Sequence, residues 1–195
     1  MGKKILLLGR AGVGKSTLKE IIFEGKDPED LLLNSLEPTR GIETSNYPWV
    51  DLELSVFDTS GQELKKLLND ETEQAVAFGN VEVVIYIFDY EIWHSDSQEI
   101  SDEIKEVNKI LRKINKQAKL MLILHKIDLI PKIIRSNVKI LTYQIQNIIN
   151  LPIKHSLYFT SIEQEYIYSI HNAFSEILSR FSEKTTPLKN LLTVQ

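Results

Sequence analysis

The 195-residue chain is expected to be α/β, a doubly wound and mostly parallel sheet of six strands flanked by about five helices. Three observations predict this. Short apolar, β-branched runs alternate with longer segments of helical period. The first such run leads into Gly9-Arg10-Ala11-Gly12-Val13-Gly14-Lys15-Ser16, which fits the phosphate-binding pattern G-x-x-x-x-G-K-[ST]. A helix follows at once, so the motif sits between a strand and a helix, where its chemistry needs it.

The first strand is Lys3–Leu8, and the helix after the glycine loop runs over Thr17–Glu24, with Leu18, Ile21 and Ile22 in phase. Asp27–Glu43 carries Pro28, Pro38 and Gly41 without a sustained period. It reads as a long loop with a turn of helix near Asp30–Leu33, and loops of this length usually serve function. Thr44–Val50 and Asp51–Phe57 read as two strands, the second placing Leu52, Leu54 and Val56 on one face. Asp58-Thr59-Ser60-Gly61-Gln62-Glu63 is a polar turn, followed by a loosely started helix to about Phe78.

Val81–Phe88 is a central strand. The next helix, Ser95–Lys116, shows Ile100, Ile104, Val107, Leu111 and Ile114 on one stripe, with Ser95 and Gln98 as a capping box. Leu120–His125 is a buried strand, and Pro131–Ile149 a single helix with Ile134, Val138, Leu141, Ile145 and Ile148 in register. Ile153–Phe159 is the last strand. Glu163–Ser182 is the last helix, with Ile167, Ile170, Phe174, Ile177 and Phe181 inward. The domain is expected to span 1–183, with 184–195 a tail or linker. No internal repeat is visible.

Composition narrows the function classes. Apolar residues make 43% and charged residues 26% of the chain, ordinary for a globular protein. The net charge of −4 offers no basic field for nucleic acid. The absence of cysteine excludes disulfides, thiolate metal sites and prenyl or palmitoyl anchors, and fits a cytoplasmic location. No apolar run is long enough to cross a membrane. Met1-Gly2-Lys3-Lys4-Ile5-Leu6 has leucine where a myristoylation signal needs Ser or Thr, so no direct membrane anchor is expected. His94, His155 and His171 lack metal-ligand spacing. Trp49 and Trp93 read as half-buried near strand ends rather than as interface anchors.

Parallel strands share a direction, so the loops after them meet on one rim. The glycine loop can wrap an anion, with Lys15 as point charge for the β- and γ-phosphates and the Ser16 hydroxyl as Mg²⁺ ligand. Asp58 ends a strand where a carboxylate can hold Mg²⁺ through water. Gly61 can bring its N–H to a terminal phosphate, and Gln62 can orient an attacking water. Thr39 can complete the metal shell when a γ-phosphate is present. In His125-Lys126-Ile127-Asp128, the carboxylate can accept from the N1–H and exocyclic amine of guanine, a pair adenine lacks, while the Lys126 stem lies over the base. A backbone N–H of Thr160-Ser161-Ile162, that of Ser161, can meet guanine O6. Taken singly, DTSG reads as a plain turn and Thr39 as an ordinary loop threonine, and TSI is almost uninformative; strand-end charge is the plain reading of HKID, made less attractive by its position after a buried strand.

In order and spacing, GRAGVGKS, the Thr39 loop, DTSGQE, HKID and TSI resemble the five signature segments of Ras-like small GTPases, from Lys3 to Ser182. Within that superfamily the chain is most similar to the Rag/Gtr GTPases. The resemblance rests on HKID in place of the usual Asn-Lys-x-Asp, on Asn80–Asp89, on Phe159-Thr160-Ser161-Ile162 and on Leu18–Phe23. It implies a Ras-like P-loop fold and a switch that turns GTP into GDP and phosphate with Mg²⁺. Nucleotide would be bound by Ala11, Gly12, Val13, Gly14, Lys15, Ser16, Thr17, Thr39, Gly61, His125, Lys126, Asp128, Ser161 and Ile162. Ser16, Thr39 and Asp58 would serve the metal, and Gln62 and Lys15 catalysis. It further implies an effector and activating and exchange partners in signalling or trafficking. Rag-like proteins pair through a C-terminal roadblock domain; pairing here is expected with a like G domain or a separate roadblock protein. Arg40 is a weak candidate for an arginine finger. The rivals are a GTP-binding scaffold with negligible hydrolysis, an ATP-using P-loop kinase and an Arf-like membrane switch; Asp128 opposes the kinase, and the lack of an amphipathic or lipidated N-terminus opposes the Arf-like form.

Overall fold

A computed structural model describes residues 3–34, 41–47, 52–58, 61–151 and 156–182. Strand β1 (Lys3–Leu8) leads through the glycine loop to α1 (Lys15–Phe23), and α2 (Pro28–Leu33) follows. Asp27 caps α2 by accepting from the Glu29 N–H at 2.9 Å, with Pro28 at the first helical position. Strands β2 (Gly41–Tyr47) and β3 (Leu52–Asp58) pair antiparallel, Gly41 opposite Asp58. Then come α3 (Gly61–Asn69), α4 (Glu71–Phe78), β4 (Val81–Asp89) and α5 (Tyr90–Ile114). Strand β5 (Lys119–His125), α6 (Lys132–Arg135), α7 (Val138–Ile149), β6 (Ser156–Phe159) and α8 (Ile167–Ser182) complete the described chain.

The sheet runs β2-β3-β1-β4-β5-β6, and every pairing except β2–β3 is parallel. Alternation along the central strands feeds two cores. Leu6 and Leu8, Tyr86 and Phe88, Leu122 and Leu124 pack under α3, α4, α5 and α7. Ile5 and Leu7, Ile85 and Ile87, Met121 and Ile123 pack under α1 and α8. Because β1, β3, β4, β5 and β6 point the same way, Leu8, Asp58, Asp89, His125 and Phe159 end on one rim.

The helices differ from expectation in number and at several of their ends. Eight α-helices occur among the described residues, not about five. Asp70 divides the helix expected to reach Phe78 unbroken, its carboxylate accepting from the Thr72 and Glu73 N–H groups at 2.8 and 3.0 Å. Helix α5 begins at Tyr90, capped by Asp89, not at Ser95. The expected start coincides with a kink, where Asp96 leaves helical geometry at φ −134° and ψ 38°. Pro131–Ile149 is not one helix either: Asn137 starts α7 afresh, and Ile149 rather than Ile148 is fully buried. Trp93 is 5% exposed and packs its ring 5.5 Å from Phe88, deeper than the half-burial expected. Trp49, His155 and Phe181 lie outside the residues whose side chains are described.

Candidate functional site

The glycine loop leaves β1 on the rim and turns over the top of β4. Val13 is fully buried and anchors it, whereas Ala11 and Gly12 are exposed. Gly14 at φ 96° is the N-cap of α1, so the helix begins at Lys15, two residues earlier than expected. Lys15 is 2% exposed and folds back into the loop, its Nζ donating to the Gly9 and Arg10 carbonyls at 2.8 and 2.7 Å. Ser16 and Thr17 follow, half-buried, in the first turn, where the positive end of the helix dipole favours an anion.

Beside this loop stands the end of β5. The His125 ring is buried and wedged against Gly14: a methyl group added there would lie 2.5 Å from the ring's Cδ2 and 2.9 Å from Nε2. Its Nδ1 hydrogen-bonds Thr160 Oγ1 at 2.8 Å. One imidazole therefore joins the glycine loop, β5 and the segment after β6. The Thr160 backbone reinforces the link, accepting from the Ile127 N–H at 3.2 Å and donating to the Leu124 carbonyl at 3.0 Å.

Burial, followed by the neighbouring Lys126 charge, pushes the His125 pKa down from 6.5 to about 4. The unfolded chain takes up this proton near pH 6.5, while the folded chain resists until about pH 4. Acidification across that window costs stability, about 3 kcal/mol in all, and nothing further below it. A His125→Asn variant is spared this cost. The unfolding free energy of the wild type relative to His125→Asn is expected to fall by about 2–3 kcal/mol between pH 7 and 4.5 in urea titrations. Parallel pH profiles would contradict the neutral, buried imidazole.

Lys126 takes a left-handed conformation at φ 56°, which aims its stem back over the rim. Its Nζ donates to the Gly12 carbonyl at 2.7 Å and pairs with Asp89 Oδ2 at 3.2 Å. Asp128 lies in a 3-10 turn, Ile127–Leu129, where the Ser161 hydroxyl donates to its Oδ1. Ser161 is fully buried, and its Oγ also accepts from the Glu163 N–H at 3.1 Å. The sequence points to the Ser161 backbone; the structure shows its side chain holding the Asp128 carboxylate. Ile162 follows, half-buried.

The structure thus gathers Gly12, Gly14, Lys15, His125, Lys126, Asp128 and Ser161 at one place. The backbone puts Asp58 at the end of β3 and Gly61 and Gln62 in the first turn of α3, on the same rim. Thr39 and Arg40 lie outside the described residues. Ser16 is thus the one expected metal ligand with a described side chain. Among the described residues no cluster of three His, Cys, Asp or Glu side chains forms a metal site.

Two residues at the site had no role assigned by sequence. Asp89, 6% exposed, uses Oδ2 for Lys126 and Oδ1 to cap α5 through the Ile92 N–H at 2.9 Å. An acidic residue between a buried strand and a helix was the available signal. Arg10, inside the loop motif, turns away from the rim into a group of carboxylates on α5. Nothing in its spacing pointed there.

Among the described residues no helix is long and apolar enough to cross a membrane. The Gtr1/RagA G protein conserved region matches residues 4–194. The Ras-related GTP-binding protein A of Dictyostelium discoideum is 33% identical over 174 residues, covering 86% of this chain and 55% of that protein. The GTP-binding protein gtr1 of Schizosaccharomyces pombe is 32% identical over 141 residues, covering 69% of this chain and 43% of that relative. The chain thus spans about half the length of the curated relatives it matches. The solved structure of the Arl6 BBS3 small GTPase from Trypanosoma brucei, with bound nucleotide analogue GppNp, superposes with a TM-score of 0.60. It covers 95% of this chain and 100% of that one at 14% identity, a likeness of fold. With a family match from residue 4 to residue 194, and relatives a third identical, the chain belongs to the Gtr1/RagA G protein family.

Proposed function

We propose that this chain binds GTP and GDP at the rim and works as a switch that hydrolyses GTP slowly. The observation that carries the reading is the Lys126 bridge from Gly12 to Asp89 beside the His125 wedge on Gly14. It ties a loop suited to phosphates to a loop suited to guanine. Asp128, oriented by Ser161, would accept from guanine N1–H and the exocyclic amine, and the Lys126 stem would cover the base. The Ser161 N–H, with Ile162 following, would meet O6.

Around the phosphates, the loop N–H groups from Ala11 to Thr17 would cradle oxygens. Lys15 Nζ would exchange neutral carbonyl acceptors for phosphate oxygens, which bind an ammonium more strongly. Ser16, Thr39 and, through water, Asp58 would hold Mg²⁺, which would offset charge on the β- and γ-phosphates. Gly61 would donate to the γ-phosphate, and Gln62 would orient water for in-line attack. Arg10 is committed to carboxylates, so the glycine loop supplies no arginine finger. Intrinsic turnover is then expected at about 10⁻⁴–10⁻² per second. Loss of the γ-phosphate would release the Thr39 loop and the first turn of α3, the change a partner reads. Effectors, activating and exchange proteins, pairing with a like G domain or a roadblock protein, and a cytoplasmic setting belong to the same proposal, as does a domain spanning 1–183.

The test is single-turnover hydrolysis of GTP by the wild type and Gln62→Leu. The variant is expected to bind GTP comparably and hydrolyse it at least about tenfold more slowly. Equal and negligible rates would favour a GTP-binding scaffold.

A further inference from the structure

The carboxylates around Arg10 form a chain of ion pairs with one rigid and one loose end. Arg10 donates through Nη2 to Glu103 Oε1 at 2.8 Å and through Nε to the same oxygen at 3.2 Å. Glu103 is 5% exposed, and its Oε2 accepts from the hydroxyl of Tyr86, a fully buried residue of β4. Burial, together with Glu103, raises the Tyr86 pKa well above 10, so the hydroxyl stays a donor. This end is fixed: breaking it would strand a buried charge.

The other end reaches the surface. Arg10 Nη2 also donates to Glu99 Oε2 at 2.5 Å, and Nη1 lies 3.5 Å from Asp96 at the kink of α5. Glu99 is half-exposed, and its second oxygen pairs with Lys65 Nζ at 2.5 Å. Lys65 belongs to α3. It stands three residues after Gln62, one turn further along the same helix. Leu64, Leu67 and Leu68 already bury α3 against the core, so the ion pair is not what attaches the helix.

We propose that Glu99 is a positioning residue that clamps the Gln62-bearing turn of α3 to the glycine loop by bridging Lys65 and Arg10. The inference rests on the GTPase reading for its catalytic consequence, while the clamp itself is a statement about α3. The geometry gives the loop a way to communicate with α3 that does not pass through bound nucleotide. Because the Lys65–Glu99 half is exposed, it can open and close at little cost and is weakened by salt.

The experiment measures three quantities on Lys65→Met, Glu99→Gln and Lys65→Arg: hydrogen exchange of the α3 amides, single-turnover GTP hydrolysis and melting temperature. Lys65→Met and Glu99→Gln are expected to speed α3 exchange about fivefold and slow hydrolysis about fivefold, with GTP affinity and melting temperature near those of the wild type. Lys65→Arg restores both. Raising salt from 0.05 to 0.5 M should slow the wild type toward the Lys65→Met rate and leave that variant unchanged, a response a purely structural role would not give. Unchanged α3 exchange in both charge-removing variants overturns the clamp, whatever hydrolysis does. Faster exchange with unchanged hydrolysis, in a wild type faster than Gln62→Leu, overturns its catalytic role. Equal wild-type and Gln62→Leu rates overturn the GTPase reading instead and leave the exchange result to decide the clamp.

Discussion

A Gly9→Ala variant is expected to melt about 10 °C below the wild type and to lose about 4 kcal/mol of stability. Gly9 opens the glycine loop at φ 147°, where side chains are strained. An added methyl group would lie 2.1 Å from the Ile87 carbonyl oxygen and 3.2 Å from Val13 Cγ2. Ile87 is fully buried in the central strand β4, between β1 and β5, so its backbone cannot step aside. Relief must come from moving the loop off the sheet, which also displaces Val13 and Lys15. Gly12→Ala is the control. Its φ of 77° is strained too, but the added methyl meets nothing within 4 Å, so only the left-handed cost of about 1–2 kcal/mol applies. Thermal melts of the two variants separate close packing from backbone strain. A Gly9→Ala protein melting with Gly12→Ala would contradict the described contact with β4.

Asp128→Asn should change which base the protein prefers. A carboxylate accepts two hydrogen bonds from guanine, each charge-assisted and worth about 1.5–3 kcal/mol. An asparagine amide turns one acceptor into a donor and faces the guanine amine donor to donor. GDP affinity should fall by at least about 100-fold. Xanthine carries a carbonyl where guanine carries that amine, so XDP should bind Asp128→Asn more tightly than GDP does. Ser161 holds the Asp128 carboxylate through Oδ1, so Ser161→Ala should weaken GDP binding without inverting the preference. Asp128→Asn retaining GDP affinity within about threefold would remove Asp128 from base recognition.

The sequence made the strands legible because a doubly covered sheet needs near-continuous apolar runs, and Val81–Phe88 and Leu120–His125 are such runs. It made the glycine loop legible because few other contexts ask for Gly9, Gly14, Lys15 and Ser16 at that spacing. It misled on helix ends wherever a capping side chain cut across an unbroken apolar phase. The phase through Pro131–Ile149 survives the break at Ser136–Asn137, so only the Asn137 cap betrays it. The kink at Asp96 similarly looked like a start because Ser95 and Gln98 mimic one. At the site, residue types were readable but their joints were not. Lys126 meets Gly12, and His125 meets Gly14 and Thr160, through folding that brings distant segments together. Asp89 and Arg10 act through partners no local pattern names.

The central claim is that the glycine loop and the HKID turn hold one guanine nucleotide between them. Displacement of a fluorescent GDP analogue from the wild-type protein by unlabelled GDP and ADP, with Mg²⁺ present, tests it most directly. GDP should displace the probe at concentrations at least about 100-fold lower than ADP. Equal potency of ADP and GDP, or failure of GDP to displace the probe, would contradict it.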